Sequence, residues 1–487
     1  MDVLFVTSEC YPLVKTGGLA DVAGALPLAL AAVNVDARVL LPAYSGVREQ
    51  LASSTTTAQI DDLFGGAATL VEGMTTAGLK VLLIDAPHLY DRAGGGPYSN
   101  PDGHDWPDNH LRFAALSWVA AEIGNGRLGK WKPDVVHLHD WHAALTAAYL
   151  HFDESKPPPT SQPATLLTIH NLAFQGVFPE TTLEELRLPP EALAKDSMAY
   201  WGSLSFLKAG VRWCDAVSTV SPTYAREIVT PEDGMGFDET LNERADPLIG
   251  IVNGIDLDVW NPATDLHIAV NYSVETTSLK ARNKAALQGE LGLDTDPRAP
   301  LFCVISRLTQ QKGVDLLLTA LPRLLARGAQ LAVLGTGDRK LEKGLQRAVK
   351  KHTGFVAAVL GYDEALSHRM QAGADAIIVP SRFEPCGLTQ LYGLRYGTLP
   401  VVAKVGGLAD TVTDIDTVTD GEGATGFQFS PVDSDQLAAT IERACDLYAT
   451  PTIWQRMMHH AMTRDVGWDT AALAYRALYE QLRQTHR

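Results

Sequence analysis

The feature that most constrains this chain is an alternation, sustained almost from end to end, of short apolar runs with longer amphipathic stretches. Residues 3–6, 37–41, 80–85, 134–137, 165–169 and 216–219 are nearly continuous in Val, Ile and Leu, as strands covered on both faces of a parallel sheet are. Residues 19–33, 111–122, 141–152 and 204–214 carry helical periodicity between them. Repeated βα units predict a doubly wound α/β domain. A single core stops growing near 250–300 residues, so a chain of 487 residues is expected to hold two. The pattern pauses at IGIVNGIDLDVWNPATD (249–265), where Asn, Gly, Asp and Pro mark turns. Beyond it, residues 300–306, 330–334, 355–360, 376–380 and 399–403 read as strands. Residues 279–291, 314–326, 340–350, 364–372, 388–396 and 408–413 read as helices. The expected fold class is therefore α/β, with two Rossmann-like doubly wound parallel-sheet domains facing a central cleft. The domains are expected at 1–253 and 254–463, with segment 464–487, helical at 470–483, completing the first.

Charge narrows the function. With 40 basic and 57 acidic residues the net charge is −17, which argues against broad nucleic-acid or acidic-membrane binding. An anionic ligand must then be held by a few local cations and backbone amides. The five cysteines are far apart and form no CxxC pair, so a reducing compartment is expected. MDVLFVTSECYPLVK enters a strand pattern at once and lacks the layout of a signal peptide. No apolar run approaches the roughly 18 residues of a membrane span, and a cytoplasmic location is expected. KPPPTSQP (156–163) reads as a surface loop, and 52–78 as an irregular surface hairpin.

Several clusters sit where chemistry is done in such folds, at strand–helix junctions. Lys15-Thr16-Gly17-Gly18 follows the first strand. Arg307 and Lys312 lie in SRLTQQKG, between a strand and a helix, where two cations suit a pyrophosphate and the charge developing on a leaving group. GGLAD occurs twice, at 17–21 and 406–410, each time opening a helix whose amides are free to face an anion. Gly335-Thr336-Gly337 lacks the third glycine of a dinucleotide fingerprint, and no Walker A motif is present. In HLHDWH (137–142), strand alternation sends His137 and His139 to one side. Asp140 and Trp141 offer a carboxylate and an aromatic plate to a sugar, while a structural role for the histidines stands beside a direct one. Tight clustering without a distant fourth ligand speaks against zinc. His170 and Asn171 emerge from another strand end. Glu384 precedes Pro385, Cys386 and Gly387 at a turn into a helix opened by Leu388 and Thr389, where a carboxylate grips sugar hydroxyls with amides behind it. Cys386 has no visible base and reads as a packing or contact residue.

These residues resemble one family over almost the whole chain, the bacterial glycogen synthases and plant starch synthases, retaining glucosyltransferases of GT-B architecture. The resemblance rests on KTGGLADVAGALP (15–27), HDWHAAL (139–145), HNLAFQG (170–176), FLKAG (206–210), SPTYAREI (221–228), NGID (253–256), SRLTQQKG (306–313) and SRFEPCGLTQLYGLRYGTLP (381–400). It implies ADP-glucose as donor and the non-reducing 4-hydroxyl of an α-1,4-glucan primer as acceptor, with retained configuration, no metal and no organic cofactor. By matching position it assigns Arg307 and Lys312 to the diphosphate, His170 to the donor glucose and Glu384 to its hydroxyls. Lys15, Gly18, Asp21, Asn171, Asn253, Cys386, Gly387, Leu388 and Thr389 would line the donor site, with Tyr362 against the adenine. Glu9, Tyr98, Asp140 and Trp141 would face the acceptor or the transferred glucose. Many GT-B relatives carry a second glutamate eight positions after the first, on the ribose; here that position is Tyr392. Asp363 stands in GYDEA where histidine is commoner, and Gln311 is a departure in TQQKG. With each domain contributing half of the site, closure about residues 254–262 is expected to assemble it and exclude water. UDP-glucose as donor, or a non-catalytic glucan-binding protein, are the alternatives; oligomeric state is left open.

Overall fold

From the N-terminus the chain lays down β1 (Asp2–Val6), β2 (Asp36–Pro42), β3 (Ser53–Ile60), β4 (Ala68–Met74), β5 (Lys80–Asp85), β6 (Val135–His139) and β7 (Ala164–Ile169). The short strands β8 (Val177–Pro179), β9 (Ala199–Tyr200) and β10 (Ser203–Ser205) follow, then β11 (Ala216–Thr219) and β12 (Ile249–Gly250). The computed structural model describes residues 1–158, 161–419 and 421–485. Parts of two predicted segments, Pro159 and Thr160 of the KPPPTSQP loop and residues 486–487 of the closing segment, lie outside the described residues.

By its internal contacts the chain divides into Met1–Asn253 with Trp468–Arg487, and Gly254–Gly467. Residues 464–467 thus group with the second unit. Among the described residues the first unit holds a nine-stranded sheet in the order β12-β11-β7-β6-β1-β2-β5-β4-β3 and a small sheet β8-β10-β9. Strand direction is parallel from β12 to β5. The β3–β4 hairpin pairs antiparallel onto β5, with one irregularity between Thr56 and Ala58. The segment expected to be an irregular hairpin is therefore a regular edge hairpin; its Ser/Thr-rich strand is exposed on a sheet margin rather than unstructured. β6 and β7 are buried along their whole length, as their apolar runs require.

The predicted helix 204–214 splits. Leu204 belongs to β10, and the helix Phe206–Trp213 begins only after Ser205, whose side chain caps it by accepting from Lys208 N. The predicted helix 141–152 is likewise two pieces, Asp140–Ala144 and Thr146–Phe152. The closing helix Asp469–Thr485 buries Ala471, Ala472, Tyr475 and Tyr479 in the core of the first unit, and Arg483 pairs with Asp134 at 3.3 Å.

The second unit is built on β13 (Leu301–Ile305), β14 (Gln330–Gly335), β15 (Val356–Leu360), β16 (Ala376–Val379), β17 (Leu399–Ala403) and β18 (Phe427–Phe429). They form one parallel sheet in the order β15-β14-β13-β16-β17-β18. Asp338, Asp363 and Asp433 cap three of its helices, each accepting from backbone amides of the first turn. β18 and the helices Ser434–Tyr448 and Pro451–Thr463 complete this unit beyond the elements read from the sequence.

Among the parallel strands, each order reverses direction once. In the first unit the reversal lies between β1 and β6, in the second between β13 and β16. In open α/β sheets that point opens a crevice at the carboxyl ends of the strands. The segments after these four strands carry Glu9, Lys15, Asp140, Arg307, Lys312 and Glu384.

Candidate active site

In the second unit, two loops meet at the reversal. Gly313 lies at φ +68, and a Cβ there would stand 2.0 Å from the carbonyl oxygen of Pro380, so only glycine lets the loop after β13 press against the end of β16. Gln311 reinforces the contact: its carbonyl accepts from Arg382 N at 2.8 Å and its side chain donates to Phe383 O at 3.3 Å. That accounts for the Gln311 departure as a local packing choice. The result brings Lys312 Nζ within 2.5 Å of Glu384 Oε2, which also accepts from Ser381 Oγ at 2.8 Å. The ion pair is largely buried, with side chains 18% and 8% exposed. Both of these bonds go to Oε2, and Oε1 of Glu384 takes no hydrogen bond from the described residues. A cavity of about 50 Å³ opens here, lined by Lys312, Ser381, Glu384, Gly387, Leu388 and Thr389 among others. Arg307 is exposed beside it in sequence, its guanidinium making no bond to described residues.

The turn after Glu384 is held from behind. Gly407 N donates to the carbonyls of Glu384 (3.0 Å) and Pro385 (3.1 Å), and a Cβ on Gly407 would lie 2.3 Å from Cys386 O. Gln390 Nε2 donates to the carbonyls of Cys386 and Gly387 at 3.0 and 2.9 Å. Cys386 is buried and, like the other four cysteines, takes part in no disulfide. In this unit, then, the second glycine of GGLAD packs against the Glu384 turn and spends its amide there instead of facing an anion. Tyr362, after the edge strand β15, is 76% exposed and bonds Glu364 through its hydroxyl at 2.5 Å. Asp363 caps the helix Glu364–Gly373, a position a carboxylate fills well. Tyr392 stacks on Trp260 at 3.7 Å, and Trp260 on His368 at 3.9 Å. Tyr392, eight positions after Glu384, is thus one ring of a three-ring stack.

In the first unit, Glu9 is the hub of the segment after β1. It is 3% exposed; Oε2 accepts from Thr16 N (2.5 Å) and Gly17 N (3.0 Å), and Oε1 from the Tyr98 hydroxyl (2.8 Å). The expected free amides of the Lys15–Gly18 loop are thus partly taken by the chain's own carboxylate. Lys15 is exposed and pairs with Asp21 at 2.7 Å, within the first turn of the helix Gly18–Ala32. Tyr98 stacks on His142 at 4.7 Å. Its carbonyl accepts from Asn109 Nδ2, and Asn109 Oδ1 accepts from the buried Arg112.

The HLHDWH cluster resolves into separate roles. His137 is fully buried, Nδ1 on the Tyr479 hydroxyl (2.7 Å) and Nε2 on Thr168 Oγ1 (2.6 Å), which makes it a structural residue. His139, on the same side with ring centroids 4.0 Å apart, lies 2.8 Å from His170 Nε2 through Nδ1. Asp140 sits at φ +55, uncommon for a non-glycine residue. Its Oδ1 accepts from His170 N (2.7 Å) and Asn171 N (3.3 Å), so it shapes the start of the 170–176 loop. Burial lifts its carboxyl to about 7 against the pull of those two amides. Burial also holds His170 neutral, its imidazolium form appearing only near about 3, and His142 likewise. Trp141 is half-buried with its ring edge on Phe113 at 4.9 Å. Asn253 is buried with Oδ1 unpartnered among the described residues.

Sequence reasoning named Lys15, Asp21, Arg307, Lys312 and Glu384 but passed over Ser381, Gly313 and Gln390, which set the Glu384 geometry. The visible signal was their place inside the same motifs. A larger concavity of the first unit, about 520 Å³, is lined by none of the predicted residues; there Arg38 pairs with Glu72 and stacks on Trp131. Among the described residues no group of three or more His, Cys, Asp or Glu is arranged to hold a metal ion. No helix among them is long and apolar enough to cross a membrane.

The comparisons agree along the whole chain. Residues 2–243 match the starch synthase catalytic domain family, and residues 291–456 match the glycosyl transferases group 1 family. The glycogen synthase of Roseobacter denitrificans is 53% identical over 484 residues, covering 99% of each chain. That of Methylocella silvestris is 51% identical over 483 residues, again 99% of each. Among solved structures, the catalytic domain of starch synthase IV from Arabidopsis thaliana, bound to ADP and acarbose, is 32% identical with a TM-score of 0.87, over 99% of both chains. Sucrose-phosphate synthase from Thermosynechococcus elongatus, 17% identical with a TM-score of 0.58, shares the fold alone. With its motifs in these positions and its likeness running from end to end, the chain belongs to the glycogen and starch synthase family of GT-B glycosyltransferases.

Proposed function

We propose that this protein transfers glucose from ADP-glucose to the non-reducing 4-hydroxyl of an α-1,4-glucan, with retention of configuration, in the cytoplasm. The observation that carries the reading is the Lys312–Glu384–Ser381 constellation at the reversal of the second sheet. One carboxylate oxygen is pinned by an ammonium and a hydroxyl, and the other is left to take sugar hydroxyls. ADP in the Arabidopsis neighbour supports the choice of base.

Arg307 and Lys312 hold the diphosphate and offset the charge that grows on it as the glycosidic bond to phosphate breaks. The anomeric carbon passes through a cation-like state, and the leaving phosphate takes the acceptor proton on the face from which attack occurs. Because two cations carry the diphosphate, the transfer needs neither metal ion nor organic cofactor. Glu384 orients glucose by its hydroxyls, and Cys386, Gly387, Leu388 and Thr389 line the sugar and phosphate. Tyr362 lies against adenine. In the first unit, Lys15, Gly18 and Asp21 serve the donor, His170 the glucose near its reacting carbon, and Asn171 and Asn253 the pocket wall. Glu9, Tyr98, Asp140 and Trp141 serve the acceptor side, Glu9 and Asp140 by holding loop backbone in place. The neutral imidazole of His170 suits this task, since a cation there would oppose a cation-like anomeric centre.

The test is incorporation of labelled glucose into glycogen from ADP-glucose and UDP-glucose at equal concentration, with chelator present. Strong preference for ADP-glucose is expected. Incorporation from UDP-glucose alone would overturn the base assignment, and none from either would overturn the reaction.

A further inference from the structure

We infer that His139 is a positioning residue that fixes the ring tautomer of His170, so that His170 presents Nδ1–H toward the transferred sugar. The inference rests on the role of His170 proposed above. β6 and β7 pair in parallel with His139 opposite Thr168, which brings the ring at the end of β6 beside the residue that follows β7. Their nitrogens, His139 Nδ1 and His170 Nε2, are 2.8 Å apart. A hydrogen bond between two imidazoles needs an N–H on one and a lone pair on the other. Burial depresses the basicity of both rings, so each is neutral and carries one proton.

Two arrangements satisfy the contact. Either His139 Nδ1–H donates to His170 Nε2, and the His170 proton sits on Nδ1, or His170 Nε2–H donates and the His139 proton sits on its own Nε2. The surroundings of His139 decide between them. Its Nε2 is buried and meets no hydrogen-bond partner among the described residues. One face of the ring is stacked on Phe5 at 3.7 Å. The nearest polar ring, His137, has both nitrogens committed to the hydroxyls of Tyr479 and Thr168. The second arrangement would strand a buried N–H at that place, whereas the first leaves only an unused lone pair. Orphaned buried N–H groups are the rarer and costlier of the two. The proton of His139 therefore sits on Nδ1, and that of His170 on its Nδ1. Asp140, by accepting the His170 amide at 2.7 Å, fixes the backbone from which the second ring hangs.

The experiment uses the full chain with 15N-labelled histidine, the His170 signals being those absent from His170→Gln. A protonated Nδ1 and a bare Nε2 are expected for His170; a proton on Nε2 overturns the inference, and this wild-type spectrum decides even if the His139 variants fail to fold. His139→Phe keeps a flat ring on Phe5 and removes the donor. Its turnover should fall about 10- to 100-fold, by analogy with partners that orient metal-bound imidazoles, with both KM values little changed and the His170 tautomer mixed. His139→Asn, whose amide nitrogen can stand near the place of Nδ1, should restore the tautomer and most of the turnover. A single Nδ1–H tautomer and full turnover in His139→Phe would refute positioning by His139. Full turnover in His170→Gln, with the wild-type tautomer as stated, would instead refute the sugar-side role of His170 and leave the tautomer assignment standing.

Discussion

Replacing Lys312 by alanine separates two effects that the geometry joins. The ammonium lies 2.5 Å from Glu384 Oε2, and the pair is mostly withdrawn from water, with 18% and 8% of the side chains exposed. Removing it leaves a buried carboxylate held, among the described residues, only by Ser381 Oγ. Breaking a buried pair from one side costs about 3–5 kcal/mol, because the remaining charge is uncompensated. Turnover should fall by about 10²–10³, as when a charged or polar donor to a developing anion is deleted. Adding Glu384→Gln separates the two. The double variant loses the orphan charge, so its denaturation midpoint should recover toward wild type while its turnover stays low or falls further. The assay is urea unfolding beside label incorporation at saturating ADP-glucose. If Lys312→Ala alone keeps wild-type stability, the buried-pair argument is wrong. If it keeps near-wild-type turnover, the role at the diphosphate is wrong.

Gly407→Ala should displace the Cys386–Gly387 turn, because its Cβ would lie 2.3 Å from Cys386 O; a donor KM raised several-fold and a lower melting temperature are expected, and unchanged donor kinetics would refute the backing role. Asp140, lifted to about 7 by burial, holds its proton more tightly folded than unfolded, where its pKa is about 3.9. Its stabilising contribution is thus complete below about pH 4 and lost as pH rises through 7, up to about 4 kcal/mol at 1.36 kcal/mol per unit; Asp140→Asn should remove that share of the slope in urea midpoints, and an identical slope would refute it. Tyr362→Ala, at a side chain 76% exposed, should leave stability unchanged and raise the KM for ADP-glucose, and an unaltered KM would remove Tyr362 from the adenine site.

The fold was legible wherever burial on both faces writes itself into composition. Residues 80–85 and 216–219 coincide with β5 and β11, and 399–403 with β17, because a parallel strand covered by helices tolerates little but Val, Ile, Leu and Ala. Legibility failed where the decisive interaction was local and polar. Ser205 turns Leu204 from a helical position into a strand residue by accepting one amide. The β3 strand, SSTTTAQI, has too little apolar surface to announce itself and is held by pairing with β4.

The site shows the same division in sharper form. Motifs pointed to its candidate residues, because a cation or carboxylate at the end of a buried strand is rare enough to notice. They did not reveal which donors and acceptors were already spent. GGLAD illustrates this: the same five residues open a helix in each unit, yet the surrounding amides have different partners. In the first unit Thr16 and Gly17 donate to the Glu9 carboxylate, so the negative charge at that loop is supplied by the protein. In the second, Gly407 donates to the carbonyls of Glu384 and Pro385 and keeps the Glu384 turn in place. Tyr392 makes the converse point, since a position that suggests ribose recognition by spacing is packed against Trp260. A helix N-terminus in this fold becomes a ligand site only where the chain has not already supplied the acceptor, and that is decided by residues far away in sequence, as Glu384 is from Lys312 and His139 from His170.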